Sequence, residues 1–306
     1  MSLVASGSAN DVSTARSSWC EARARGTGLP GCPHQAVTQR RVAASRVRHD
    51  RDSGWQTVPV TCSDAELYDR SVRTLLACWG HIASGSADAR VEHLPGVAIA
   101  VFPTGPERAV YNNAVVSEEL SAVERRTTLD AVEGTYDAAG IDGYTVWVRE
   151  QHSAMAGLLV DRGFRIQEST RAMGLTLDEL AVLPPAADVD PVEPSVHLRL
   201  IGVPDLWVAA DPEPFKACVV RSGPLEVATA VAFDCLGDCG IFNVVTIPSA
   251  RRRGFASALT TAMLTAAVTR GCTTASLQAT PMAEKLYATA GFRDLGRFIE
   301  YARSLS

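Results

Sequence analysis

The sequence has very little lysine and no excess of positive charge. Lys216 and Lys285 are the only lysines among 29 lysine and arginine residues. Arginine therefore fills ordinary surface positions, and an arginine cluster alone is weak evidence for a binding site. The formal net charge of −5 argues against a general nucleic-acid binder, which would usually be basic.

Long apolar runs and metal-binding cysteine pairs are also missing from the sequence. No stretch approaches the ~20 apolar residues that a membrane span needs. The opening MSLVASGSANDVS lacks the basic-then-apolar layout of a signal peptide. None of the eight cysteines forms a CxxC pair, and the Cys235/Cys239 pair has no histidine or second cysteine pair beside it. We expect a cytoplasmic protein without a membrane partner, a metal site or disulfides.

Composition divides the chain into four parts. Residues 1–58 are rich in Ser, Gly and Arg and lack apolar periodicity, so we expect a flexible basic extension. A nucleic-acid-binding arm is the alternative, although aromatic residues are sparse there. The stretch LPPAADVDPVEPSV, residues 183–196, is predicted to be a stiff Pro-rich linker between a first half (59–182) and a second half (197–306).

The two halves resemble each other. YNNAVV (111–116) and IFNVVT (241–246) both have the character of buried strands. Each is followed by a helical stretch, a strand, a second helix and a Gly-Phe pair. An offset of about 130 residues through four elements suggests duplication of one α/β unit, the alternative being a chance likeness of two such units.

The stretch RRRGFASALT (251–260) combines three arginines with a glycine at a predicted helix entrance. Apolar side chains then recur every four residues, as on one face of an amphipathic helix, at Phe255, Leu259, Met263 and Ala267. Glycine lets the backbone approach a ligand, and free N–H groups at a helix start form an anion cradle. A pyrophosphate is the ligand that this arrangement favours, and solvated surface is the alternative.

This loop is neither a Walker loop nor a dinucleotide fingerprint. Arg251-x-x-Gly254-x-Ala256 resembles the pyrophosphate loop of the GNAT superfamily of N-acetyltransferases, Arg/Gln-x-x-Gly-x-Gly/Ala. The strand NVVTIP before it, the strand TTASLQA after the helix and the ending LYATAGF follow in the family's order. The resemblance covers residues 197–306. It implies an α/β protein with two tandem GNAT-like mixed-sheet domains, of which the first (59–182) is degenerate, preceded by a flexible N-terminal extension.

The resemblance also implies an activity: transfer of an acetyl group from acetyl-CoA, as co-substrate, to a primary amine by direct attack. The backbones of Val244, Val245 and Thr246 would hold the pantetheine arm. The pyrophosphate would be held by the residues of the loop, Arg251, Arg252, Arg253, Gly254, Phe255 and Ala256. Tyr287 stands where the family commonly keeps the general acid; a core aromatic with a satisfied hydroxyl is the alternative.

A general base is not evident from the sequence. Gly240 stands where some members of the family carry a glutamate on the strand before the loop. Asp238, Asp234 or a chain of water molecules could serve instead. His93, His152 and His197 lie at predicted element boundaries, where we expect capping or surface roles.

The first half departs further from the family pattern. Glu118 and Glu119 are predicted to open its helix, where they would repel a pyrophosphate, and Leu159 stands where Tyr287 stands in the second half. We expect this half to be a scaffold that supplies one wall of the acceptor pocket.

The sequence leaves the activity and the acceptor open in two respects. A non-catalytic acyl-CoA-binding sensor or regulatory module is the alternative to the enzyme. The acceptor is a small-molecule or peptide amine that the motifs do not define further, and they do not define the oligomeric state.

Overall fold

Strands and helices alternate along most of the chain. The computed structural model describes residues 62–104, 111–116, 120–179, 187–202 and 210–303, so the predicted extension 1–58 lies outside the described residues. The strands of the described part are β1 (Arg90–Leu94), β2 (Val97–Val101), β3 (Asn113–Val116), β4 (Thr145–Arg149), β5 (Phe164–Thr176), β6 (Asp190–Val192), β7 (Phe215–Ser222), β8 (Leu225–Cys235), β9 (Asp238–Thr246), β10 (Thr274–Ala279) and β11 (Arg293–Arg303). The helices are α1 (Asp64–Ala83), α2 (Ala122–Ala138), α3 (Ser153–Asp161), α4 (Pro194–Ile201), α5 (Phe255–Thr269) and α6 (Glu284–Thr289).

All of these strands join one mixed sheet in the order β1-β2-β3-β4-β11-β5-β10-β9-β8-β7-β6. The pairs β3–β4 and β9–β10 are parallel, and the other neighbours are antiparallel. The last strand of each half crosses over: β11 pairs with β4 of the first half, and β5 pairs with β10 of the second. The predicted mixed α/β fold is confirmed. A division into two tandem domains is not shown, because the described residues form one continuous sheet within one compact unit.

Part of the predicted Pro-rich linker has regular structure. Residues 190–192 form β6, which pairs with β7 at the sheet edge, and α4 begins at Pro194. Proline is compatible with both places, since an edge strand and the first helical position do not need its N–H group. Residues 183–186 lie outside the described part of the chain.

Helices cover both faces of the sheet. One face carries α1 and α4 over a core cluster that runs through both halves, including Trp79, Trp147 and Phe298. On the other face, α2 and α3 bury a second cluster against the first half. Helices α5 and α6 bury a third cluster against the second half.

Helix α1, like β5, is an element of the first half that contacts the second half. Ser63 caps its N-terminus by accepting a hydrogen bond from Glu66 N, and acidic residues occupy its first turn, as the helix dipole favours. Its side chains extend to β9 and β10, where Thr74 contacts Asp238 and Ser71 contacts Gln278. The first half thus lies against the strands that carry the predicted site.

Candidate functional site

Strands β9 and β10 separate partway along their length. They pair only at Asp238–Thr274, Cys239–Ala275 and Gly240–Ser276 in the described structure. Beyond this point β9 continues to Thr246 beside β8, with a bulge in the register between the pairs at Thr229 and Val231. A bulge bends a strand and increases its twist, so β9 diverges from β10 after the Gly240–Ser276 pair. The unpaired stretch between the two strands is called the strand split below.

The three strand residues predicted to hold pantetheine lie on the open part of β9. Val244, Val245 and Thr246 are half-buried, and none of them pairs with β10 in the described structure. An unpaired strand edge presents backbone N–H and C=O groups at regular spacing. The split therefore offers an extended ligand a strand to pair with.

The arginine loop follows directly at the mouth of the split. Arg252 and Gly254 have positive φ angles of 64° and 81°, and Gly254 is the N-cap residue of α5. The backbone N–H groups of residues 252–257 make no hydrogen bond to the described part of the chain. Successive N–H groups free of partners at a helix N-terminus form the concave anion site that the sequence predicts.

The arginine side chains of the loop are exposed and can interact with an anionic ligand. Arg251, Arg252 and Arg253 are exposed, and none forms an ion pair with a described residue. Arg251 Nε donates to Thr246 O at 3.2 Å, and the Arg253 guanidinium lies 4.9 Å from the Phe255 ring centroid. The loop thus carries three uncompensated positive charges beside an N-terminal helix dipole.

Helix α5 itself is as predicted. It spans Phe255–Thr269, and the four apolar residues of the predicted face are buried. It ends at Arg270, followed by Gly271 with φ 87°, the left-handed conformation that favours glycine after a helix.

Tyr287 lies in α6, within the core cluster shared by α5 and β10, and is 6 % exposed. Its ring meets Phe292 edge-on at 5.9 Å. Burial raises the pKa of its phenol, so the hydroxyl keeps its proton at neutral pH. The hydroxyl has no hydrogen-bond partner among the described residues. The Tyr287 ring is therefore part of the core, whereas its hydroxyl proton forms no hydrogen bond to a described residue.

Both aspartates considered as bases are engaged in structural bonds. The Asp238 carboxylate is buried and accepts hydrogen bonds from Thr74 (2.8 Å), Thr274 (2.7 Å) and Ser276 (2.6 Å). It lies at the closed end of the split, where it ties β9 to β10 and α1.

Asp234 forms a two-pronged ion pair with Arg270, at 2.5 and 2.8 Å. Burial favours a higher pKa, but the hydrogen bonds and charge of Arg270 outweigh it and hold the Asp234 pKa below its usual range. A carboxylate held in this way is a poor proton acceptor.

No side chain fits at Gly240 without rearrangement. A Cβ built there would lie 2.6 Å from the Phe242 ring and 2.7 Å from the Thr74 methyl group. The close approach of α1 therefore explains why glycine occupies this position.

In the first half, β3 and β4 form the corresponding parallel strand pair. They pair at Asn113–Thr145, Ala114–Val146 and Val115–Trp147, and the described part of the chain breaks off after Val116, the last residue of β3. Thr145 Oγ1 donates to Asn113 Oδ1 (2.5 Å) as Thr274 donates to Asp238 in the second half.

The first-half helix begins without an arginine loop. Helix α2 starts at Ala122 with a capping box between Ser121 and Glu124. Glu118 and Glu119, predicted to open this helix, lie outside the described residues, and Leu159 is fully buried in α3.

Three buried polar groups were missed or misjudged at the sequence level. His197, expected at a cap or surface, is fully buried under the sheet. Asn243 and Gln278 lie on the two strands of the split, and both carry buried amide atoms without partners among the described residues. The only signal for Asn243 was its place as the polar residue in the apolar strand IFNVVT.

The described residues thus form a mixed α/β sheet with a strand split and an arginine-bearing helix start at its mouth. The model of the Acetyltransferase (GNAT) family matches residues 200–292, which include the split, the arginine loop and Tyr287. Among solved structures, a GCN5-related N-acetyltransferase from Kribbella flavida is similar, with a TM-score of 0.59 and 17% identity over 78% of this chain and 96% of that one.

A functionally unknown conserved protein from Staphylococcus epidermidis ATCC 12228 is also similar, with a TM-score of 0.51 and 11% identity over 71% of this chain and 95% of that one. Comparison with curated proteins gives no match. Residues 200–292 are thus similar to the GNAT family model, and the solved structures share the fold of this chain. Among the described helices, none is both long and apolar enough to span a bilayer.

Proposed function

We propose that the protein is an N-acetyltransferase that moves an acetyl group from acetyl-CoA to a primary amine by direct attack. The observation that carries this proposal is the strand split with the arginine loop at its mouth. An unpaired strand edge suits the amide-containing pantetheine arm, and free helix N–H groups beside three arginines suit a pyrophosphate. Both features occur in the right order along one direction of β9.

In this proposal a different segment of the protein binds each part of acetyl-CoA. The backbones of Val244, Val245 and Thr246 pair with pantetheine. The N–H groups of residues 252–257 and the side chains of Arg251, Arg252 and Arg253 bind the pyrophosphate. Gly254, Phe255 and Ala256 form the turn that brings the helix start against it.

Tyr287 is the proposed general acid. The amine nitrogen attacks the thioester carbon, the C–S bond breaks, and the departing thiolate takes the phenolic proton. The buried phenol is protonated at neutral pH and so has a proton to donate. Its uncommitted hydroxyl supports this role over a purely structural one.

The first half is proposed to be a diverged copy that acts as a scaffold. The matched Thr145–Asn113 and Thr274–Asp238 bonds, each at the first pair of a parallel strand pair, support a common origin. Because the first half carries Glu118 and Glu119 where the second half carries the arginine loop, we propose one acetyl-CoA site per chain. Ser71 and Thr74 of α1 supply a wall on the acceptor side.

Release of free CoA thiol with a panel of primary amines tests this function, and Tyr287→Phe tests the acid. Tyr287→Phe keeps the ring but removes the proton, so turnover should fall about 10²-fold or more. The affinity for acetyl-CoA should change by less than about 1 kcal/mol.

Tyr136→Phe is the matched control, since this buried tyrosine donates to Ala100 O at 3.0 Å in the first half. It should lower stability by about 1 kcal/mol and leave turnover unchanged. Wild-type turnover in Tyr287→Phe would show that the proton comes from another group, and acetyl-CoA binding without transfer to any amine would favour a sensor.

A further inference from the structure

Two amide side chains flank the strand split, one on each strand. Asn243 lies on β9 with φ 50°, beyond the last β9–β10 pair. It is 7 % exposed, and its Oδ1 and Nδ2 atoms are buried without partners in the described structure. The bulge therefore places a hydrogen-bonding side chain, rather than an apolar one, at the point where β9 turns away.

Gln278 holds the corresponding place on β10, two residues beyond the last pair. Its Nε2 donates to Ser71 Oγ of α1 at 3.2 Å, which fixes the amide. Its Oε1 is buried and accepts no hydrogen bond from the described residues. A buried amide oxygen without a hydrogen bond raises the free energy of the protein. A ligand that donates hydrogen bonds to Asn243 Oδ1 and Gln278 Oε1 would remove this penalty.

Carboxylates near the split are already occupied. Asp238 and Asp234 are bonded as described above, and Glu284 of α6 accepts from Arg171 (3.0 Å) and Arg297 (2.6 Å). Gly240 carries no side chain, and a Cβ there would clash with the Phe242 ring and the Thr74 methyl group. The carboxylates of β8, β9, β10 and α6 in the described residues are therefore bonded to other groups. Glu168 of β5 and Glu300 of β11 lie beside each other, past the last β5–β10 pair at Arg171–Ala279.

We propose that Asn243 and Gln278 bind the attacking amine in its neutral form, and that the acceptor is a weakly basic primary amine such as an α-amino group. This inference rests on the function proposed above. Asn243 Oδ1 and Gln278 Oε1 each accept a hydrogen bond from one N–H group of the amine. The lone pair of the nitrogen then remains available to attack the thioester carbon. The C–N bond forms, the C–S bond breaks, and Tyr287 protonates the thiolate. The proton lost from nitrogen returns to Tyr287 through water.

The preference follows from the neutral fraction of each amine. An α-amino group has a pKa of about 7.7–8.0 and an ε-amino group one of about 10.4. At pH 7 a much larger share of the first is neutral, by a factor of about 10² or more. Amide oxygens do not remove the extra proton of an ammonium group, so an amine site built from them selects the neutral fraction.

Two isomers provide a matched pair of acceptors: Nε-acetyl-lysine amide, with a free α-amine, and Nα-acetyl-lysine amide, with a free ε-amine. At pH 7 the first should have a kcat/KM about 10²-fold higher or more. From pH 7 to 9 the value for the second should rise about tenfold per pH unit, while that for the first levels off above about pH 8.

The same preparation is titrated with acetyl-CoA by calorimetry. If acetyl-CoA does not bind, the proposed function itself fails. If it binds but the isomers react equally at pH 7, or neither reacts, only the present inference is overturned.

Asn243→Gly tests the amide directly, because glycine keeps the positive φ while removing the side chain. The KM for the amine should rise about tenfold, as expected for one lost neutral hydrogen bond, with the KM for acetyl-CoA unchanged. Leu236→Gly is the control, since Leu236 also has a positive φ (49°) but is exposed in the β8–β9 turn. An unchanged amine KM in a folded Asn243→Gly variant, or an equal rise in Leu236→Gly, would overturn the assignment.

Discussion

At the scale of single residues, His197 shows how burial fixes a protonation state. Its Nδ1 lies 2.9 Å from Thr229 Oγ1, and that hydroxyl donates to Cys218 O at 2.9 Å. The hydroxyl must therefore accept from His197, which places the proton on Nδ1. Desolvation lowers the pKa of His197 to about 4, so the imidazole stays neutral in the folded protein.

The stability of the protein should consequently fall on mild acidification. Below about pH 6.5 the unfolded chain binds a proton at this position, whereas the folded chain does not until about pH 4. Within this window His197 should remove up to about 1.4 kcal/mol of stability per pH unit. His197→Asn keeps a donor for Thr229 and cannot titrate, so its urea midpoint should fall less between pH 7 and pH 5. Equal slopes for the two proteins would contradict this account.

The sequence did not predict the burial of His197, although this residue lies in a regular helix, α4. The sequence alone does not show whether such a histidine is exposed or buried, because burial depends on its hydrogen-bond partners. Here the partners come from β7 and β8, and their hydroxyl and carbonyl groups are what make burial tolerable.

At the scale of elements, local patterns predicted the strands and helices of the site well. The predicted strands YNNAVV, IFNVVT and TTASLQA correspond to β3, β9 and β10, and the helix from Phe255 is α5. These predictions succeeded because apolar periodicity and the glycine signals are local properties.

Strand pairing relates β3 to β9 by a different offset from the one that sequence similarity suggests. Sequence similarity aligned Asn113 with Asn243, whereas the parallel pairing aligns Asn113 with Asp238. Buried parallel strands are apolar on both faces, so sliding one along the other preserves the pattern. The register is set by hydrogen bonds to the neighbouring strand, which a single sequence does not reveal.

Strand β11 links the halves, and Phe298 tests that link. Phe298 is fully buried, with ring centroids 5.8 Å from Tyr68 and 5.7 Å from Trp147. Phe298→Ala should cost about 3–5 kcal/mol. Hydrogen exchange should accelerate in β4 as well as in β10, because β11 and β5 join them. Acceleration confined to the second half would indicate two independently folding domains.

At the scale of the whole molecule, the exchange of β5 and β11 was beyond sequence analysis. Each half contains the elements of one α/β unit in order, so the sequence suggests two domains. Tertiary packing determines which strands pair when they are far apart in sequence. The continuous core beneath α1 stabilises the arrangement in which β5 and β11 are exchanged. The prediction of a single complete site, in contrast, depended on local motifs and stays a prediction.

Calorimetric titration with acetyl-CoA tests the central claim, that the split and arginine loop of the second half form the one acyl-CoA site. Wild type should bind one equivalent. Gly254→Asp should abolish binding, because its side chain points into open space at the loop and sets a carboxylate against the phosphates. Gly271→Asp, with a similar φ and equally open surroundings at the other end of α5, should bind as wild type does. Two equivalent sites, or unchanged affinity in a folded Gly254→Asp variant, would contradict the account.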